Sequence, residues 1–513
     1  MHTFGKSVLF ASLILGHPAL TAAGSSETPP PSLTIYNQDF GVVRSHIPLK
    51  LRAGVNEVSI TDISAHVEPH SVILRDPTGK IHLQILEQNY RADPVSQLLL
   101  LSRYEGKTID FLVGGTADAP LKVSGKIIRS GYVPHYNALN GFGSQYYQRQ
   151  MMLSQQTQSQ PLIEVDGQLR FGLPGTPIFP SLTDDSILKP TLNWKIHSDQ
   201  TNDVTAELAY LTGGMTWRAD YNVIAESDDD IVSLLGWVTI ENQCGTSFEN
   251  ARIKLMAGDV HRISPDGQAN QYLYAGLARR SGVAGNEPGV TEKSFEDYHL
   301  YTVARPSTIR DRETKQIEFI RADQIKAERR YVYNGADINW QQYRGWGYDS
   351  LRTHSDFGSR STKKVQVVRE FSNCKSNNLG MPLPSGKLRF YRRDDDGQLE
   401  FTGENMIDHT PKDELVRVVT GNAFDLVGER NRTNFETDGS KRFTNEWFEI
   451  KLRNHKEEPV TITVVEDLYR WRNWEISEND HEFKKKDSDT IEFDVTLAPD
   501  EEKTIKYKVH YSW

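Results

Sequence analysis

Residues 490–513 read TIEFDVTLAPDEEKTIKYKVHYSW. Ile491, Phe493, Val495 and Leu497 alternate with Glu492, Asp494 and Thr496. After the turn residues Pro499, Asp500, Glu501 and Glu502 the alternation resumes with Ile505, Tyr507, Val509 and Tyr511. A period of two puts every apolar residue on one face of an extended chain, so this stretch predicts two half-buried antiparallel strands. The same signature runs outward from it toward the N-terminus. LRFYRRDDDGQLEF carries Asp396-Gly397 between two strand-like runs, IEVDGQLRF carries Asp166-Gly167, and VILRDPTGKIHLQI carries Pro77 and Gly79, which is hairpin turn chemistry in each case. Strands recur at short spacing from Ser32 onward. One brief helix interrupts them, with Asp93 as cap, Pro94 in the first position, residues 98–101 as body and Gly106 as stop. The expected class is mostly β: a multi-module antiparallel β-sandwich, immunoglobulin-like in its C-terminal part, with one short helix in the N-terminal module.

The first 23 residues have the layout of a secretory signal peptide: Lys6, the apolar run SVLFASLIL, a break at His17-Pro18, and the small residues Thr21, Ala22 and Ala23 before the cut. Nine apolar residues are too few to span a bilayer, and no second run of sufficient length follows, so the mature chain is expected to have no membrane span. The implied location is exported, periplasmic or extracellular. The whole chain carries 59 basic and 69 acidic side chains, a formal charge of −10. Such a surface repels phosphate backbones and anionic lipids, which argues against nucleic acid as a partner. Cys244 and Cys374 are the two cysteines, each following an Asn that ends a β-like run (WVTIENQC and VREFSNC). They form a candidate disulfide, with two free thiols left open as the alternative, since strand-end loops need not bring two Cα atoms within bonding reach.

About 490 residues after the signal predict about three structural units. Residues 141–160 are rich in Gln, Ser and Tyr, 264–288 in Gly and Ala, and 334–361 mix Gly, Arg and aromatics. These divide the chain into an N-terminal β module over 24–135, a low-complexity insertion and link over 136–190, and a large β-sandwich region over 191–513 with a break near 335–361.

Several separated blocks then carry a resemblance: LTGGMTWRADYNV, LLGWVTIENQCGTSFENARIKLMAGDV, YHLYTVARPSTIRDRETKQIEF, and MPLPSGKLRFYRRDDDGQLEFTGENMIDHTPKDELVRVVTGNAFDL. In this order, over roughly 200–513, they resemble the conserved domain of unknown function shared with mucoidy inhibitor A-like bacterial proteins. The resemblance implies an exported bacterial β-sandwich in which Trp217 and Tyr221 begin the sandwich, Asn242 and Gly245 form a strand-end turn, and residues 384–386 lead into a hairpin. It supplies no catalytic residues, and the two cysteines belong to none of its motifs.

Motif by motif, the chemistry is sparse. Gly106-Lys107-Thr108 follows a helix and has Leu101 where a phosphate loop needs Gly. His66 and His70 flank Glu68 at zinc-like spacing, but Pro69 forbids the helix that would bring them together, leaving a turn with surface histidines. His481-Glu482 lacks a zincin's second His, and no nucleophile elbow occurs. Asp394, Asp395 and Asp396 lack the spacing of a calcium loop and suit a solvated hairpin tip. No cofactor and no metal is expected. The aromatic-ended last strand suits an outer-membrane barrel too, but the helix and the long Pro- and Gly-rich connections do not.

Trp340, Tyr343, Arg344, Trp346 and Tyr348 crowd into INWQQYRGWGYDS. Flat rings beside an Arg, if exposed, offer stacking surfaces for sugar rings or a protein partner; folded back, they merely cover the sandwich. The functional expectation is a non-enzymatic binding or scaffold protein of the bacterial cell envelope, with this loop as the candidate surface and an envelope protein or a glycan as partner. The alternative is an enzyme acting on envelope polysaccharide or protein, which needs paired carboxylates or a nucleophile and base converging in one cleft.

Overall fold

The computed structural model describes residues 29–91, 94–116, 120–132, 160–182, 186–225, 230–258, 260, 262, 290–295, 298–440 and 442–513. The signal-like segment, Asp93 and most of 141–160 and 264–288 lie outside the described residues. The chain is mostly β, and the longest helix among the described residues, Gln97–Arg103, is the one the sequence predicts. Its cap differs: Ser96 Oγ accepts from the Leu99 N–H at 3.2 Å, because the Val95 N–H donates to the Ile187 carbonyl at 2.7 Å and keeps the chain out of the helix until Ser96. Gly106 ends the turn at φ +80°, where a side chain would be strained. No helix among the described residues is long and apolar enough to cross a membrane.

Among the described residues five sheets form. In the first, of eight strands, Ser32–Tyr36 pairs antiparallel with Phe40–Leu51 on one side and parallel with Phe248–Ala257 on the other, and Asn202–Gly213 pairs with Phe40–Leu51 along its whole length. Strands from both sides of the boundaries drawn at 135 and 191 therefore share one sheet. A three-stranded sheet centred on Thr191–Ser198 and a five-stranded sheet running Glu313–Lys326, Ile231–Asn242, Met215–Ala225, Gly386–Arg393, Leu399–Ile407 join it around one core. Leu33, Val43, Ile196, Leu208, Tyr221, Ile240, Leu255 and Leu388 are all buried there. Trp217 and Tyr221 sit on Met215–Ala225, Asn242 ends its strand, and Gly386 begins a hairpin strand, as the resemblance implies.

A separate five-stranded sheet (Thr176–Ile178, Thr108–Gly115, Pro120–Arg129, Leu162–Val165, Gln168–Phe171) has its own small core of Leu101, Tyr104, Ile109, Phe111, Ile127, Ile163 and Val165. Two of the three expected hairpins form, at Asp166-Gly167 and at Asp396-Gly397. The third does not: Ile73–Arg75 pairs with Asn202–Gly213, and Leu83–Arg91 with Thr191–Ser198. Asp76 rounds off that loop instead, accepting from the backbone N–H groups of Thr78, Lys80 and Ile81. Three parallel pairings also make the sheets mixed rather than purely antiparallel.

The C-terminal sheet has nine strands in the order Trp474–Asn479, Glu502–Ser512, Phe443–Asn454, Leu415–Asp438, Lys364–Ser372, Glu328–Asn334, Val460–Asp467, Thr490–Leu497, Lys484–Lys485. The two strands read from 490–513 are both present, yet they do not pair with each other. Leu415–Asp438 spends its first half on Lys364–Ser372 and its second half on Phe443–Asn454, and between them the register slips and the sheet turns a corner. The two halves close on each other, so that Phe493 and Tyr507 meet across the core with ring centroids 5.8 Å apart. The sheet's end strands remain unpaired with one another, which makes it an open sandwich and not a barrel. Gly428 lets the Tyr333 ring lie against the corner strand; a Cβ there would run into it.

Candidate functional site

The aromatic run lies in the connection between Glu328–Asn334 and Lys364–Ser372, which reaches over one end of the C-terminal sandwich and includes a short helix, Tyr348–Thr353. Its five candidate residues divide by environment. Trp340 is 57 % exposed and Tyr348 72 %, and Arg344 also faces solvent. Trp346 is half-buried against His354, whereas Tyr343 is buried, its ring edge-on to Phe357 at 4.9 Å and to Trp346 at 5.1 Å. The rings thus do both things that the sequence leaves open: Tyr343 anchors the loop, and Trp340 and Tyr348 stand out from it.

Three arginines hold the base of the loop. Arg470 Nη1 donates to the carbonyls of Leu351, Arg352 and His354, and its Nη2 to those of Phe357 and to Glu446 at 2.8 Å. Arg432 donates to Phe357 and Ser355 carbonyls and to Glu446 at 2.9 Å. Arg430 Nε faces both carboxylate oxygens of Glu466 at 2.9–3.0 Å, and the Tyr507 hydroxyl donates to the same carboxylate. Glu446 and Glu466 are fully buried. Burial works against the Arg430 charge, but Glu466 and the phenols of Tyr507 and Tyr469 hold its pKa well above the ordinary guanidinium value. Burial and then Glu466 push the Tyr507 phenol far up, and burial and then Glu446 do the same to Tyr511. Arg352 stacks over Trp471 at 3.5 Å and extends this layer toward Tyr348 and Trp513.

None of these charged residues was singled out from the sequence, although a signal was there. Glu446 shares its parity with Phe448, Ile450 and Leu452, and Arg430 shares that of Leu426 and Gly428, so each occupies an inward position of an alternating strand. A charge on the apolar face of a strand has to find a partner inside.

A cleft of about 390 Å³ lies where Met215–Ala225 and Gly386–Arg393 run parallel, and is lined by Asn37, Trp217, Arg218, Asp220, Ser385, Lys387, Arg389 and His409 among others. Its charges are largely spoken for. Asp220 sits between Arg218 and Arg389, 3.4 Å from each, and accepts from the Thr239 hydroxyl at 2.8 Å. Arg218 also meets Glu241, and Arg389 and Lys387 meet Glu404. Ser385 and His409 resemble a nucleophile and base only in composition. His409 Nδ1 accepts from the Ser385 backbone N–H at 3.1 Å, so the neutral ring keeps its proton on Nε2, the atom 3.4 Å from Ser385 Oγ, and cannot take another from the hydroxyl.

The remaining motifs take ordinary roles. Pro69 opens a 3₁₀ turn, Pro69–Ser71, and His70 is exposed beside Glu68. Asp394 to Asp396 cap the hairpin tip, with Asp396 accepting from the Gln398 backbone N–H. Cys244 and Cys374 are both free thiols: Cys244 is buried, its pKa raised by burial, and Cys374 lies beside the Ser376 hydroxyl. A family model described as a domain of unknown function, DUF4139, matches residues 206–513. No curated protein and no solved structure matches the chain.

Proposed function

The chain belongs to the DUF4139 family, whose matched region contains both the aromatic loop and the arginines beneath it, and we propose that it acts there by binding, as a scaffold outside the cytoplasm of a bacterial cell. The signal-like residues 1–23 and the resemblance to mucoidy inhibitor A-like proteins support that location. One observation carries the binding role: Trp340 and Tyr348 are exposed on a loop whose base is fixed to the sandwich by Arg430, Arg432 and Arg470. Large rings held out on a fixed base give up little conformational freedom when a partner covers them, which is how recognition surfaces gain affinity. A glycan or an envelope protein suits flat rings beside Arg344.

The enzyme reading draws less support. Two buried carboxylates do occur, Glu446 and Glu466, but each is held by arginine and sealed from solvent. A carboxylate sealed from solvent is out of a substrate's reach.

The test is binding of the full mature chain to a glycan array and to cell-envelope extract, beside a Trp340→Ala/Tyr348→Ala variant. Both removed rings are exposed, so the variant is expected to unfold within a few degrees of the parent while losing at least about tenfold in affinity, the equivalent of one exposed aromatic contact. Equal binding by both proteins, or none by either, overturns the proposal.

A further inference from the structure

The three-stranded sheet centred on Thr191–Ser198 turns Leu192, Trp194 and Ile196 into the core, so the residues between them face outward. On that outer face lies another cavity, of about 430 Å³, a volume within the range that small-ligand sites occupy. The residues that line it fall between Ser59 and Asn193, ahead of the stretch matched by the family model, and none belongs to the aromatic loop.

Strand register arranges the floor of this cavity. Gly54–Ile60 and Leu83–Arg91 flank Thr191–Ser198 on either side, with Ser59 opposite Asn193 and Arg91 opposite Thr191. Thr61 follows the first of these strands at the same parity as Ser59 and lines the cavity with it. One wall is the segment 187–189, pinned by three contacts. The Val95 N–H donates to the Ile187 carbonyl at 2.7 Å, the Thr191 hydroxyl donates to the Lys189 carbonyl at 2.8 Å, and Lys189 Nζ lies 3.1 Å from Asp62. Arg91 and Lys189 thus both stand beside Thr191, one across the sheet and one along the chain. That end of the cavity is cationic, and the end at Ser59 and Asn193 is polar and neutral.

This lining selects a ligand chemistry. Its charged residues are Arg91 and Lys189, and among the described residues no carboxylate lines it. Glu57 and Glu87, on the same face, sit one rung farther on at either side of Lys195, which Glu87 meets at 2.9 Å. The Lys189–Asp62 pair is exposed on both sides, so exchanging it for another anion costs little. A guanidinium has five N–H donors, enough to keep one partner and take a second. The side chains of Ser59, Thr61 and Asn193 form no hydrogen bond within the described chain. Hydroxyls and amides both donate and accept, which suits a ligand bearing hydroxyl groups, whereas a bare inorganic anion would use their donors alone. Ile187 and Leu188 add apolar surface for a short carbon chain. We propose that this cavity binds a small hydroxylated carboxylate, of the hydroxy-acid or sugar-acid class, with its acid group toward Arg91 and Lys189 and its hydroxyls toward Ser59, Thr61 and Asn193. The site does not rest on the role proposed for the aromatic loop.

Titration calorimetry of the full mature chain with sodium D-gluconate and with sodium L-malate, beside neutral sorbitol at matched ionic strength, tests this. At least one acid is expected to bind with Kd below about 1 mM, and sorbitol, which keeps the hydroxyls and lacks the charge, at least about tenfold more weakly. Lys189→Ala and Asn193→Ala, both on the outer side of the sheet, are each expected to weaken the acid at least about tenfold, while Trp340→Ala/Tyr348→Ala binds it as the parent does. No saturable binding of either acid up to about 10 mM, equal binding of sorbitol, unchanged binding in both cavity variants, or loss in the aromatic variant overturns the proposal. Thermal unfolding checks that each variant is folded; if one is not, the other and the sorbitol comparison decide.

Discussion

The small sheet built from Thr108–Gly115, Pro120–Arg129 and their neighbours and the nine-stranded C-terminal sheet obey the same alternation, yet bury very different things. The small sheet buries five apolar or aromatic residues on one face, against Leu101 and Tyr104 of the helix, and leaves Leu121, Leu169 and Phe171 in solvent, the last at 75 % exposure. The C-terminal sheet folds over on itself, so its inward positions have no solvent to turn to, and Arg430, Arg470, Glu446 and Glu466 are enclosed along with the apolar residues. A single layer can tolerate misplaced side chains on its open face. A closed sandwich must satisfy each one internally.

The sharpest break of that contrast is Glu446→Ala, which leaves Arg432 and Arg470 buried without their carboxylate. Its expected cost is about 3–5 kcal/mol in denaturant unfolding. A cost below about 1 kcal/mol, the range of an exposed ion pair, would mean that solvent reaches the cluster and that the two sheets differ less than their burial indicates.

Alkali should weaken the C-terminal sandwich next. Burial and then Glu446 push Tyr469 up to about 12, and Tyr507 and Tyr511 rise well above the ordinary value. Below pH 10 the phenols are protonated in both folded and unfolded chains and their contribution is complete. Above it the unfolded chain releases protons that the folded one retains, so stability falls as pH rises, for Tyr469 through the window from about 10 to about 12, by about 1.4 kcal/mol per pH unit for each such tyrosine. Thermal unfolding followed from pH 8 to 11.5 checks this. A flat profile would show that the phenols ionise in the folded state. Smallest of all, Phe171→Ser on the open face of the small sheet should alter stability by no more than about 0.5 kcal/mol, and a larger loss would reveal that the face is covered.

Much of this architecture can be read from the sequence where the signal is local. The alternation over 491–511, the Asp166-Gly167 and Asp396-Gly397 turns and the helix Gln97–Arg103 all depend on neighbours within a few residues. Pairing partners do not. Nothing within VILRDPTGKIHLQI tells that its two strands leave for different sheets, nor does 490–513 reveal that its strands face each other across a core instead of lying side by side, because both outcomes put the same residues inside. The candidate loop is legible as aromatic, but which ring anchors and which projects is settled by Phe357 meeting Tyr469 and Arg470, which lie far along the chain from it and reach it only when the sandwich closes.

The parallel pairing of Ser32–Tyr36 with Phe248–Ala257 sets a timetable for synthesis. When Tyr36 leaves the ribosome, the hairpin with Phe40–Leu51 can form within moments, but its other edge must wait for Met256. At roughly 5–20 residues per second that delay is on the order of ten seconds or more. Throughout it a strand carrying Leu33 and Ile35 offers bare N–H and C=O groups to any other nascent chain. The last strand, Glu502–Ser512, is interior to its own sheet, paired on both sides. The C-terminal sandwich therefore cannot close before Glu502–Ser512 has been made, about 170 residues after its first strand, Glu328–Asn334.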